Sequence, residues 1–423
     1  MARPIPLNLL PDNASVNADD SLAIGGVNVA DLAEEFGTPL FIYDEAHLRD
    51  RCRQAVDTFG KGVAFASKAF MCTAMVQLAH EEGMHIDVAT GGEMYVALQA
   101  GVPAADLVLH GNNKSLPELR TALDEGVGRI VIDSFDEMDR LEAIHADTGQ
   151  VAPALLRLTP GVEAHTHEFV STGQDDSKFG FTVSTGLAKQ AVERAVASPS
   201  IDFIGVHAHI GSQVFSVQAF QQAVAVIAQI GNSFDVRELS VGGGLGVPYV
   251  EGEEAPTVSQ WGRMSLQACA EAGVTAHVTA EPGRSIVAAA AITVYEAGTI
   301  KDLPGLRTYV SVDGGMSDNP RPVLYGSGYE TFVPRAMTAD RPRAIRLVGK
   351  HCETGDILVR EGFVPHDLAV GDLIATPVTG AYGYALASNY NMVPRPAVVF
   401  VADGQARLVR RRETFADLTR LDV

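Results

Sequence analysis

The chain holds only four cysteines, Cys52, Cys72, Cys269 and Cys352, and no two of them form a Cys-x-x-Cys pair. That excludes a zinc ribbon and gives no basis for a disulfide framework, so the thiols are read as reduced. No apolar run reaches the roughly 18 residues of a membrane span, and the longest candidate, around Ile286 to Ala297, is too short. The start, Met1-Ala2-Arg3-Pro4-Ile5-Pro6, lacks the basic, apolar and small-residue regions of a secretory signal, so a cytoplasmic protein is expected. Positive charge is also scarce: 32 lysines and arginines face 52 acidic residues, a formal net charge of −20. Such a surface repels a phosphate backbone, and Arg410-Arg411-Arg412 is too short a run to reverse that. Neither nucleic acid nor membrane is an expected partner, and any anionic ligand must be held by local positive groups.

At 423 residues the chain exceeds one ordinary core and can hold a full barrel with a second domain. Apolar runs ending near Ala66, Val88, His110, Asp133, Leu158, Ile210, Val241 and Ala280 read as eight strands. Helical spacing fills most intervals: Cys72 to Glu82, Glu93 to Ala100, Leu116 to Glu125, Gln218 to Gly231. After about Ile286 the runs follow one another without helices, at Ile292 to Tyr295, Thr308 to Val312, Ile345 to Val348, Ile357 to Arg360 and Val398 to Val401. The expected fold class is α/β, a (β/α)8 TIM-like barrel followed by an antiparallel β-rich C-terminal domain. Residues 1–40, with a helix at Val29 to Phe36, form an N-terminal segment assigned to the C-terminal domain. Residues 41–285 form the barrel and 286–423 the second domain.

The C-terminal strand ends of such a barrel converge on one mouth, and this chain loads nearly every end with chemically useful groups. Lys68 closes Val63-Ala64-Phe65-Ala66-Ser67-Lys68, placing one amine where a Schiff base can form, although a solvated terminus reads the same way in isolation. Asp87, the His110-Gly111-Asn112-Asn113 turn and Arg157 follow. His207 and His209 are two apart on a strand and are expected on one face, which permits metal ligation, ring stacking or simple core packing. The Gly242-Gly243-Gly244-Leu245-Gly246 cluster brings backbone N–H groups close to an anion, or makes an ordinary tight turn. Glu281, before Pro282-Gly283-Arg284, can accept a hydrogen bond from a protonated ring nitrogen, or form an ion pair with Arg284. Amine, phosphate cradle, flat ring and carboxylate together meet the needs of pyridoxal 5′-phosphate. No metal is assigned.

These motifs resemble the alanine-racemase-like fold of pyridoxal-phosphate enzymes and, within it, the diaminopimelate decarboxylases. The resemblance runs through Ala66-Ser67-Lys68-Ala69-Phe70, His110 to Ser115, Lys178-Phe179-Gly180-Phe181, His209-Ile210-Gly211-Ser212-Gln213 and Glu281-Pro282-Gly283-Arg284. In the second domain it continues through Asp313 to Pro322, Gly349 to Asp356 and Gly380-Ala381-Tyr382. It implies that Lys68 holds the cofactor covalently, His209 stacks on its ring, Glu281 pairs with the ring nitrogen, and Ser212 with Gly243, Gly244 and Gly283 serves the phosphate. Arg284, Arg321 and Tyr325 are implied substrate-carboxylate contacts, Arg284 also a contact to the cofactor, Glu353 the partner of the distal ammonium, Tyr382 a contact to cofactor and substrate, and Cys352 the proton donor. It also implies a homodimer whose sites are shared, the Cys352-Glu353 loop reaching the partner's barrel. Gly383 stands where relatives often place cysteine, and Thr90 replaces a commoner serine while keeping the hydroxyl.

The implied reaction is decarboxylation of meso-2,6-diaminopimelate to L-lysine and carbon dioxide, the last step of lysine synthesis. This substrate carries both an ammonium and a carboxylate at its far end, and Glu353 with Arg321 supplies the complementary pair. Ornithine, arginine or lysine decarboxylases would need only the acid. Three other classes have distinct signatures: a non-catalytic binder would lack Lys68 or Cys352, a metal-dependent barrel hydrolase would use His207 and His209, and an alanine racemase would lack the Cys352-Glu353 and Arg321 motifs.

Overall fold

The computed structural model describes residues 3–162, 173–215 and 217–423. It divides the chain into two compact units. One comprises residues 51–246 and 255–285; the other comprises 1–50, 247–254 and 286–423.

The first of these is the barrel. Its eight parallel strands are Ala64–Ala66, His85–Val88, Leu107–Leu109, Arg129–Ile132, Ala152–Thr159, Ile201–Ala208, Glu238–Ser240 and His277–Thr279. Each pairs in parallel with the next, as in Phe65 opposite Ile86 and Leu239 opposite Val278. Closure comes from the backbone, where Ala64 N–H donates to Ala280 O at 2.9 Å and Ala66 N–H to Pro282 O at 3.1 Å. The strands are short apolar runs buried on both faces, and Ala64, Val108, Val131 and Leu155 meet in an inner cluster. Strand six carries a register shift at Phe203/Gly205; a Cβ on Gly205 would lie 1.8 Å from the Glu238 carbonyl oxygen, so only glycine fits.

Helix starts follow the sequence. Ser115 and Glu118 form a reciprocal capping box at Leu116–Glu125, Thr257 and Gln260 another at Val258–Glu271, and Thr90 and Ser134 cap Gly91–Gln99 and Phe135–Thr148. At the opposite barrel end from the site, Arg129 makes a two-pronged bond to Glu238, 2.8 Å from Nε and 2.6 Å from Nη2. It joins strands four and seven across the floor.

The other unit is built on an eight-stranded, mostly antiparallel sheet. The order runs Ile357–Val364, Arg343–Val348, Arg307–Val312, Ala291–Leu303, Leu40–Asp44, Ala397–Ala402 and Gln405–Arg410, with Leu373–Pro377 also pairing with Ala291–Leu303. Leu40–Asp44 is wholly buried between two longer strands, antiparallel to one and parallel to the other. The strand therefore lies in this sheet although the sequence reading placed residues 41–50 with the barrel. A small three-stranded sheet, Ala14–Val16, Leu22–Ile24 and Val27–Asn28, precedes it.

Candidate active site

At the mouth of the barrel, Lys68 follows strand one in the short turn Ser67–Ala69, with an exposed side chain between the buried Ser67 and Ala69. Glu281 follows strand eight and is buried. Its Oε2 lies 2.9 Å from His207 Nε2, its Oε1 accepts from Ser240 Oγ at 3.1 Å, and His110 Nε2 approaches at 3.3 Å without hydrogen-bond alignment. Burial alone would raise the Glu281 pKa, but the His207 and His110 imidazoles hold it well below the ordinary value, so the group stays a carboxylate.

The sequence left Arg284 as the alternative partner of Glu281. The structure turns Arg284 the other way, its Nη2 donating to Ser212 Oγ at 2.9 Å and its Nε at 3.3 Å. Ser212 and Arg284 thus stand together, beside a glycine turn whose backbone is pressed close: a Cβ on Gly243 would lie 2.2 Å from Glu281 O, and one on Gly244, at φ +109°, 2.2 Å from Gly211 O. Gly283 allows the strand-eight loop to meet strand one, since a Cβ there would lie 2.9 Å from Ala66.

His207 and His209 part company because the strand ends at Ala208. His207 goes to Glu281, while His209 Nδ1 accepts the Gly243 N–H at 3.1 Å. That bond commits the Gly243 donor, so Gly243 serves the cradle by its small size rather than by its N–H. Burial, then the charges of Lys68 and Arg157, push the His209 pKa well below the ordinary value, leaving a neutral ring with its proton on Nε2. His110, His207 and Glu281 are the group whose ligand atoms lie within 4.8 Å of one another among the described residues. His209, which the metal-hydrolase reading requires, is not part of it.

Pyridoxal 5′-phosphate fits this donor set. It needs an accessible amine, an ionised carboxylate with spare lone pairs, a neutral flat ring, and a hydroxyl with a guanidinium beside small residues; Lys68, Glu281, His209, Ser212 and Arg284 supply them.

Sequence reasoning missed how the mouth is braced. Lys114 is buried, and its Nζ donates to Gly111 O at 2.8 Å, Val131 O at 2.6 Å and Glu137 Oε1 at 2.8 Å. Arg157 lies 4.3 Å over the Phe179 ring and 3.9 Å from Asp133, and Gly180 N–H donates to Asp133, which ties the Lys178-Phe179-Gly180-Phe181 motif to strands four and five.

The other unit holds the remaining candidates. Arg321 opens the helix Arg321–Tyr325 and is 3 % exposed. Its Nη1 donates to Tyr329 Oη at 2.7 Å and its Nη2 to Ser327 Oγ at 3.1 Å, and its guanidinium carbon lies 3.8 Å from the Tyr249 ring centre. Nε has no partner, and no carboxylate pairs with Arg321 among the described residues. Burial opposes its charge, yet the neighbouring tyrosines raise its pKa, so it remains a cation. Tyr325 is half-buried. Cys352 and Glu353 sit on an exposed loop; Cys352 N–H donates to Asn391 Oδ1 at 3.1 Å, and Glu353 Oε1 accepts from Gly355 N–H at 3.3 Å. Tyr382 is half-buried in a left-handed conformation, φ +56°, on a loop tied down by Tyr43 Oη donating to Gly380 O at 2.8 Å.

The chain is also similar to known proteins. Residues 45–288 match the family model of the pyridoxal-dependent decarboxylase, pyridoxal binding domain. The chain is similar to the diaminopimelate decarboxylase of Mycobacterium tuberculosis, 45 % identical with 98 % of each chain covered, and to that of Bacillus subtilis, 44 % identical with 96 % of each covered. Among solved structures it is similar to the M. jannaschii diaminopimelate decarboxylase in co-complex with L-lysine, TM-score 0.89 at 28 % identity, covering 97 % of this chain and 98 % of that one. No helix among the described residues is long and apolar enough to cross a membrane.

Proposed function

The chain belongs to the diaminopimelate decarboxylases within the pyridoxal-dependent decarboxylases, and we infer that it converts meso-2,6-diaminopimelate to L-lysine and carbon dioxide. The observation that carries the substrate assignment is Arg321, a buried cation with no carboxylate partner among the described residues. A buried charge without a counter-ion is costly, and a ligand carboxylate relieves that cost.

Bound pyridoxal 5′-phosphate would supply the electron sink for the pair left on the substrate carbon as carbon dioxide departs. Lys68 offers the amine that holds the cofactor and yields its place to the substrate amine. Ser212 and Arg284 hold the phosphate, and the close-pressed Gly243, Gly244 and Gly283 leave room for it. Glu281, kept ionised, would pair with a protonated ring nitrogen, and the neutral His209 would stack on the ring without adding a repelling charge. Arg321 and Tyr325 grip the carboxylate that is retained, and Tyr382 contacts cofactor and substrate from its fixed loop. Cys352 delivers the proton that replaces the lost carboxylate, a contribution typically of about 10²- to 10⁴-fold. Glu353 pairs with the distal ammonium.

The active form is a homodimer with shared sites. The exposure of Cys352 and Glu353 supports it, since both need a second surface to act on a substrate. Four free cysteines, three of them buried, suit a reducing cytoplasm. The test is carbon dioxide release by the holoenzyme on meso-diaminopimelate, L-lysine, L-ornithine and L-arginine in parallel. Release from the first alone, with lysine as product, is expected; release from another of the four would move the chain to a sister specificity.

A further inference from the structure

We propose that Tyr249 and Tyr329 are positioning residues that hold the Arg321 guanidinium in its carboxylate-binding orientation. The proposal rests on the reading of Arg321 as the substrate-carboxylate contact.

A buried arginine is ordinarily steadied by an acid. Arg321 is steadied instead by groups that carry no negative charge: the Tyr249 ring 3.8 Å away, the Tyr329 ring 5.2 Å away, the Tyr329 hydroxyl and Ser327 Oγ. The two rings brace each other edge to face, with centroids 5.6 Å apart and planes at 81°. Tyr329 Oη is itself oriented by donating to Asn319 Oδ1 at 3.3 Å. An acid in this place would compete with the ligand for the guanidinium. Aromatic faces stabilise the cation through their quadrupoles and leave its N–H edge free of a rival anion.

The donor count agrees. A guanidinium has five N–H donors in a fixed fork, and only two are engaged here. Nε–H and one hydrogen on each Nη remain, enough for a two-pronged grip on a carboxylate. Tyr249 lies only three residues beyond Gly246 of the glycine turn, yet belongs to the compact unit that holds Arg321.

The test is equilibrium binding to the holoenzyme by calorimetry, with two ligands that differ by one carboxylate. L-lysine retains the carboxylate that survives the reaction; cadaverine lacks it. Tyr329→Phe removes the hydroxyl that accepts from Nη1, and Tyr249→Leu removes the stacking ring. Each should weaken L-lysine about tenfold, as expected for a buried cation–π contact or a charged hydrogen bond, while cadaverine changes less than about twofold. Tyr249→Phe keeps the ring and should bind L-lysine as the parent does. Arg321→Lys should also lose L-lysine selectively. If Arg321→Lys weakens L-lysine but Tyr329→Phe and Tyr249→Leu do not, the positioning role is wrong and the carboxylate reading stands. If Arg321→Lys binds L-lysine normally, the carboxylate reading itself falls. Equal weakening of both ligands by the tyrosine variants would make their role structural and overturn the proposal. Should Tyr249→Leu fail to fold, Tyr329→Phe decides the matter.

Discussion

Replacing Lys114 by methionine should destabilise the barrel far more than its place in a polar turn suggests. The side chain is 3 % exposed and its ammonium spends all three donors on Gly111 O, Val131 O and Glu137 Oε1. Glu137, also buried, uses its other oxygen to accept the Asp133 N–H at 3.1 Å. Methionine fills the volume but strands a buried carboxylate, which costs about 3–5 kcal/mol when one partner of a buried pair is removed. For a domain of this size that is a fall in Tm of about 6–20 °C. Burial already raises the Glu137 pKa against the pull of Lys114, and without Lys114 it rises further. A carboxyl whose folded pKa is raised contributes stability below its unfolded pKa and loses it as pH rises, so the deficit of the variant should grow as pH rises above the ordinary carboxylate range. Urea unfolding of the cofactor-free protein measures it. Adding Glu137→Met should recover at least half of the loss, because no orphan charge remains. A double variant as unstable as the single, or a deficit independent of pH, would refute the reasoning. Gly111 follows His110, which approaches Glu281, so weaker cofactor binding should accompany the single change.

Lys68→Ala should abolish both the visible absorbance of covalently held cofactor and carbon dioxide release; retained turnover would remove Lys68 as the anchor. Gly244→Ala forces a side chain into φ +109° and 2.2 Å from Gly211 O, so cofactor affinity by equilibrium dialysis should fall at least about tenfold, and an unchanged affinity would mean the turn does not touch the phosphate. Asp318 accepts from Gly315 N–H at 2.7 Å and Tyr295 Oη at 2.9 Å, and burial raises its pKa to about 7. Its contribution to stability is complete below its unfolded value and lost as pH rises through about 7, with a ceiling of about 4 kcal/mol. Asp318→Asn should flatten the stability profile between about pH 4 and about pH 8, and parallel profiles for parent and variant would exclude Asp318 as its source.

The barrel was legible because most of its strands are short apolar runs ending in a polar or glycine-rich turn, with a helix behind that is capped by a side chain at Gly91–Gln99, Leu116–Glu125, Phe135–Thr148 and Val258–Glu271. Leu40–Asp44 reads the same way, and nothing local distinguishes a buried barrel strand from a buried strand in another sheet; its partners Ala291–Leu303 and Ala397–Ala402 lie more than 240 residues away. Gln405–Arg410 was missed for the opposite reason, as a half-exposed edge strand rich in polar residues. In the site, residue type and strand-end position marked Lys68, His209 and Glu281. Partner choice was not marked, since Glu281 selects His207 over the nearer-in-sequence Arg284 only because strands six and eight converge. Tyr249 and Tyr329 are eighty residues apart, and no spacing rule joins them.

Three imidazoles share one end of the barrel, and their protonation follows from what faces each. Burial works against charge in all three. His110 overcomes it because the carboxylates of Asp87 and Glu281 both face it, and its pKa is raised. His207 does not, although it is bonded to Glu281, because a charged His110 stands 5.0 Å away, ring to ring. His209 faces Lys68 and Arg157 and is driven furthest toward neutrality. The two carboxylates thus sustain one imidazolium between them. Glu281 keeps its charge and, of roughly four lone-pair directions, spends two on Ser240 and His207. Of the two that remain, His110 Nε2 faces one at 3.3 Å, and a protonated ring nitrogen would be a donor for the other that the neutral His209 does not repel.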